Sequence, residues 1–153
     1  MPSITSLINR LEHDYPDISF IGGDKFRWSP TDKAVTYEEN SDDTASLLHE
    51  LAHSLLQHAS YTKDLHLIEM ERDAWSHAVE ELAPKYEVDI TSETVDTALD
   101  SYRDWLHSRS TCPKCQATGI QTKQNEYRCL ACRTSWRVNE ARVCELRRYV
   151  EHT

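Results

Sequence analysis

Glycine is scarce in this 153-residue chain, at only 3 residues, and proline contributes 5. So few chain breakers exclude a loop-dominated or collagen-like polymer and leave room for long helices. Phenylalanine and methionine number 2 each, and hydrophobic residues make up 39% of the chain, enough for a modest core and no more. No apolar run approaches the roughly 18–20 residues that span a bilayer, so no membrane-spanning helix is expected. The opening MPSITSLINRLEHDYPDI lacks a basic stretch followed by an apolar one. A secretory signal is therefore not expected, and the expected address is cytoplasmic. Cysteine is missing altogether before Cys112.

The net charge of -9 conceals a partition. Up to residue 107 there are 8 basic residues against 22 acidic ones; from Ser108 onward there are 9 against 4, together with all five cysteines. Two compositions in one chain imply two functional units, expected as domains 1–107 and 108–153.

Helical spacing of Ile4, Leu7, Ile8 and Leu11 predicts a helix from Ser3 to about His13, with Ser3 as its N-cap. Three short strands are expected at Ile18–Ile21, Phe26–Trp28 and Ala34–Tyr37, the first two separated by Gly22-Gly23. Asn40-Ser41-Asp42-Asp43 is an N-capping cluster for a helix carrying Leu47, Leu48, Leu51, Leu55 and Leu56 and running to about His58. A second long helix is expected from about Leu65 to Leu82, where Pro84 stops it. A third is capped by Thr91 or Ser92 and bears Val95, Leu99, Tyr102, Trp105 and Leu106. The fold class expected is α+β.

Inside the first long helix stands His49-Glu50-Leu51-Ala52-His53, an H-E-x-x-H string. Four residues make about one helical turn, so both imidazoles project from one face, where two nitrogens can reach one Zn²⁺. Glu50 lies beside them, where a carboxylate can take a proton from water. Given 8 histidines in the chain, chance would produce such a string about 0.04 times. A third ligand is needed. A histidine six residues after His53 would mark a metzincin, but that position is Ala59. His58 would have to bend back along its own helix and reads instead as a surface or outer residue. Acidic residues of the second long helix are better placed. Glu71 shares a face with Ala74, Trp75 and Ala78, and a carboxylate on a packed face needs a partner. Glu69, Asp73 and His66 are the alternatives.

With Glu71-Arg-Asp-Ala74-Trp75-Ser-His-Ala78 following at about twenty residues, the chain resembles the ImmA/IrrE group of gluzincin-type metallopeptidases over roughly residues 15–84. The resemblance implies a zincin-like helical domain with a small antiparallel sheet. It makes His49, His53 and Glu71 the metal ligands and Glu50 the general base. Many gluzincins carry an acidic or amide residue where this chain has Trp75, so the outer partner of a ligand histidine has to come from elsewhere. Proteins of this group often cut repressors in phage, mobile-element or stress circuits.

The basic segment contains Cys112-Pro-Lys-Cys115 and, after thirteen residues, Cys129-Leu-Ala-Cys132. Two C-x-x-C knuckles at this separation suit a tetrahedral structural zinc on a β-hairpin, a zinc ribbon. Gly119, Ile120-Gln-Thr and Tyr127-Arg would supply the hairpin, and Trp136 and Val138 a third strand, followed by a C-terminal helix. Cys144 reads as a packed residue of that helix. A segment this short has too little core to fold unaided, so the metal would supply much of its stability.

These readings converge on a zinc-dependent endopeptidase with one catalytic and one structural Zn²⁺, acting on a protein or peptide. Tyr61, Tyr37, His58 and His66 are candidates for steadying an oxyanion. The strand near Ala34–Tyr37 is expected to offer an edge for an extended peptide. A rival reading is a non-catalytic zinc-binding adaptor. The excess of Arg and Lys around Tyr127 and Trp136 permits contact with nucleic acid or an acidic partner. A peptidase followed by a zinc ribbon is also similar in layout to the SprT-like proteases of DNA-bound proteins. Their Gly-His-Gly ligand site has no counterpart here.

Overall fold

The computed structural model describes residues 2–142 and 144–151. It is mixed α+β and divides into two compact units, Met1–Ser60 with Met70–Val95, and Tyr61–Glu69 with Asp96–Thr153. Composition suggested a division at residue 107, whereas packing divides the chain inside two helices. Among the described residues no helix is long and apolar enough to cross a membrane.

In the first unit, α1 (Ile4–Asp14) begins at Ser3, whose hydroxyl accepts the Ser6 N–H at 3.1 Å, and it buries Ile4, Leu7, Ile8 and Leu11. Strands β1 (Ser19–Gly23), β2 (Arg27–Ser29) and β3 (Ala34–Glu38) form a sheet in the order β1-β3-β2. β3 pairs antiparallel with β2 but parallel with β1, so the sheet is mixed rather than antiparallel. The reason lies in Gly22-Gly23. They do not turn the chain; they extend β1 opposite Tyr37 and Glu38, where a Cβ on Gly23 would stand 2.9 Å from the Thr36 methyl. β3 is therefore central, and the peptide-docking edge expected at Ala34–Tyr37 is filled on both sides.

Helix α2 (Thr44–Leu55) starts at Asp43, whose carboxylate accepts the Ser46 N–H at 2.9 Å. Helix α3 (Asp64–His77) runs into a π-helical turn, Ala78–Leu82, and then α4 (Ala83–Tyr86). Pro84 does not end the run. It sits in the first turn of α4, and the wide π turn before it accommodates the ring and the missing N–H. Leu47, Leu48, Leu51, Ala52, Ala74, Ala78, Leu82 and Tyr86 join the α1 stripe and Val35 in one buried cluster.

The second unit holds most of α5 (Ser92–Ser110) and an antiparallel sheet of β4 (Ile120–Lys123), β5 (Glu126–Arg128), β6 (Ser135–Val138) and β7 (Arg148–Val150) in that order. Its core is Cys112, Tyr127, Cys129, Trp136 and Val138, with Tyr127 and Trp136 stacked at 5.8 Å. Among the described residues the expected C-terminal helix is not formed. The Asn139 side chain donates to the Glu145 carbonyl at 2.9 Å and accepts the Arg147 N–H at 2.8 Å, bending the chain back so that β7 can pair with β6. Cys144 is exposed in that bend rather than packed on a helix.

Candidate metal centres

The apolar face of α2 is buried through Leu47, Leu48, Leu51 and Ala52, and this carries His49 and His53, 6% and 8% exposed, inward with it. Ala74 on α3 and Ala78 in the π turn that continues it are fully buried and small, allowing the closer approach that brings Glu71 to the same place. His49 Nε2 and His53 Nε2 are 2.8 Å apart. Glu71 Oε2 lies 2.9 Å from His49 Nε2, and its Oε1 lies 3.1 Å from His53 Nε2. Two imidazole nitrogens and one carboxylate thus converge, an arrangement that can hold a metal ion. Glu69, Asp73 and His66, the alternatives for the third position, are exposed.

The local field treats the two histidines differently. Burial, reinforced by the neighbouring His53, brings His49 down to about 3, so its ring is uncharged at neutral pH. Burial is the largest single influence on His53 and opposes its charge, but the hydrogen bond to Glu71 and the charges of Glu71 and Glu50 together raise it. His49 Nδ1 and Trp75 Nε1 are buried and have no hydrogen-bond partner among the described residues; the two rings meet edge to face at 4.1 Å. His53 is held differently, with its Nδ1 2.9 Å from His58 Nδ1.

Glu50 is partly buried beside this cluster and hydrogen-bonds the backbone N–H of Trp28 in β2, an edge strand. Burial pushes its carboxyl up to about 7. Such a group sits near the protonation midpoint that proton shuttling requires. Of the residues considered for an oxyanion, His58 is engaged with His53, and Tyr37 packs against the hydrophobic cluster. Tyr61 and His66 belong to the second unit.

Cys112, Cys115, Cys129 and Cys132 bring their sulfurs within 4.8 Å of one another, with Cys112–Cys132 at 3.6 Å and Cys115–Cys129 at 3.5 Å and no disulfide. The two C-x-x-C segments are built alike. Cys112 N–H donates to the Ala117 carbonyl and Gln116 N–H to the Cys112 carbonyl, at 2.8 and 2.9 Å; Cys129 with Thr134 and Arg133 repeats both bonds at the same lengths. Gln116 and Arg133, fourth after each leading cysteine, both take left-handed backbone, φ 66 and 65. The Thr134 hydroxyl and N–H bring Cys132 down to about 6. Cys115 is pushed up to about 12: although the Ala117 N–H favours its thiolate, the crowding sulfurs of Cys129 and Cys132 oppose it. Four thiolates cannot coexist at this spacing without a cation among them.

The second unit also holds a buried ion pair that no sequence pattern marks. Asp64, at the start of α3, and Arg109, near the end of α5, are each 1% exposed. Arg109 Nε donates to Asp64 Oδ2 at 2.8 Å and Nη2 to Oδ1 at 3.2 Å. Tyr127 also donates to Asp64, and Arg109 further reaches the Asn125 side chain and the Asn139 and Glu140 carbonyls. An acid opening a helix reads as a dipole partner, and a lone Arg in a basic segment as solvated, so no local pattern joined them. No family model, no curated protein and no solved structure matches the chain.

Proposed function

We propose that the chain is a zinc-dependent endopeptidase similar to the ImmA/IrrE gluzincins, with a second, structural Zn²⁺ in a ribbon formed by its four clustered cysteines. One observation carries the reading: His49 Nε2, His53 Nε2 and the Glu71 carboxylate converge within 2.8–3.1 Å of each other, with Glu50 on the same helix turn. Tetrahedral bonds of 2.0–2.1 Å would set such donors roughly 3.3 Å apart, so a small expansion accommodates the ion. Zn²⁺ there would polarise a scissile carbonyl and acidify water. Neutral His49 and His53 with anionic Glu71 leave the ion a net positive charge for that work. Glu50 accepts the proton from the attacking water and delivers it to the leaving amine. The Trp28 N–H holds Glu50 in place. The resemblance points to a cytoplasmic regulator or DNA-bound protein as substrate.

Metal analysis tests the two sites. About two Zn²⁺ per chain are expected, falling to about one in His49→Ala/His53→Ala. Glu50→Gln should keep both ions and lose cleavage of any protein the wild type cuts by 100-fold or more, roughly the share of a general base. Unchanged turnover in Glu50→Gln would remove the assigned base.

The adaptor reading has one observation in its favour. On the exposed face of the second unit's sheet, Arg137 lies opposite Tyr149 with its guanidinium 5.6 Å from the ring, and Arg128 is exposed on the neighbouring strand. Salt-dependent binding of a single-stranded oligonucleotide, weakened in Arg128→Ala/Arg137→Ala, would support it.

A further inference from the structure

The end of α2 is a Schellman motif, and it falls on a metal-ligand candidate. Leu56 caps the helix, and Gln57 follows in left-handed backbone at φ 59. Gln57 N–H donates to the Ser54 carbonyl at 3.1 Å and His58 N–H to the His53 carbonyl at 2.9 Å, the pair of bonds that defines this cap. The geometry sets the residue two past the cap against the residue three before it, ordinarily as an apolar contact. Here those residues are His58 and His53. Their rings are inclined at 63° with centroids 5.1 Å apart, so they do not stack; the close approach is Nδ1 to Nδ1 at 2.9 Å. His58 is held in turn by the Trp28 indole, which donates to its carbonyl at 3.0 Å.

We propose that His58 is a positioning residue for the metal centre, accepting the Nδ1 proton of His53 and so fixing the tautomer and ring angle with which His53 presents Nε2. This rests on the reading of His49, His53 and Glu71 as ligands. An imidazole that gives Nε2 to a metal keeps its proton on Nδ1 and must donate it. His58 Nδ1 then accepts, and the His58 proton lies on Nε2. Ligand histidines generally need such an outer acceptor, most often a carboxylate or backbone carbonyl. Among the described residues His49 has none, and Trp75 packs on it instead. One ligand is oriented by packing and the other by the helix cap. Left-handed backbone disfavours a non-glycine residue such as Gln57, and that strain is offset by a cap that delivers an imidazole rather than the usual aliphatic contact.

Full-length protein loaded with Co²⁺ provides the test, because the visible spectrum separates a nitrogen–oxygen site from a thiolate site. His58→Leu restores the apolar contact typical of this cap, so apoprotein stability should hold or rise. Affinity at the nitrogen–oxygen site should nonetheless fall roughly 10- to 100-fold, the usual loss of an outer partner. His58→Asn, whose side-chain oxygen can occupy the Nδ1 position, should recover most of that loss. Nitrogen NMR of the loaded wild type should find His53 protonated at Nδ1 and His58 at Nε2. If His58→Leu binds as tightly as wild type, or Asn gives no recovery, the inference is wrong while the metal centre stands. If wild type shows only the thiolate-type spectrum, the metal-centre reading falls, and the inference with it.

Discussion

At the scale of single residues, the strongest commitments are charges taken out of water. Asp64 and Arg109 are both 1% exposed and bonded through two donor–acceptor pairs. Removing one member of such a pair leaves the other charged, buried and unmatched. Asp64→Asn should therefore destabilise the second unit by about 3–5 kcal/mol, read from chemical unfolding followed by Trp136 fluorescence. Asp64→Leu combined with Arg109→Met should cost much less than that single change, because the desolvation penalty goes with both charges. A loss under about 1 kcal/mol for Asp64→Asn would mean that the pair is hydrated in solution. Glu71 is buried too, with its carboxylate against His49 and His53.

At the scale of elements, caps and close approaches decide what propensity leaves open. Gln57 occupies left-handed backbone that glycine takes without strain. Gln57→Gly should raise the melting temperature, worth up to about 1 kcal/mol, and leave metal affinity unchanged because the cap bonds to His53 and Ser54 are main-chain. A large drop in affinity would show that the Gln57 side chain contributes directly. Gly119 is the reverse case. A Cβ there would stand 2.5 Å from the Trp136 ring and 2.8 Å from the Arg128 carbonyl. Gly119→Ala should lower stability by about 1–3 kcal/mol, through displacement of the tryptophan that fills the small core of the second unit. Near-UV circular dichroism of the variant would register that displacement. The strands were legible as strands, since Phe26–Trp28 and Ala34–Tyr37 alternate and are bounded by turn residues. Their order was not, because Gly22-Gly23 serves equally well as a turn or as a strand end that accepts close neighbours.

At the scale of the whole chain, composition and packing draw different boundaries. Tyr61–Glu69 belongs with Asp96–Thr153 because Asp64 finds its partners in Arg109, Tyr127 and Gln121. A fragment cut after His107 would retain Asp64 without any of them. It should show fast hydrogen exchange at the first turn of α3 where the full chain is protected, and a fragment that kept this protection would refute the assignment. If the four cysteines of the same unit hold the proposed Zn²⁺, its removal should act there. Among the described residues the buried core is Cys112, Tyr127, Cys129, Trp136 and Val138, so chelation should then erase exchange protection at the Cys112, Gln116, Cys129 and Arg133 amides together.

What the sequence determined by itself was the local chemistry. A four-residue spacing puts His49 and His53 on one helix face whatever surrounds them, and paired C-x-x-C segments make knuckles from their own backbone. The amphipathic spacing of α1 and α2 was equally local, as was capping by Ser3 and Asp43. Tertiary structure decided everything that requires two distant segments to meet. It brought Glu71, rather than Glu69 or Asp73, to His49 and His53, placed β3 at the centre of its sheet, joined Asp64 to Arg109 and drew the last strand back onto β6. Periodicity records which face of an element is apolar; which other face it meets depends on the free energy of the whole packed arrangement, and no single segment carries that information.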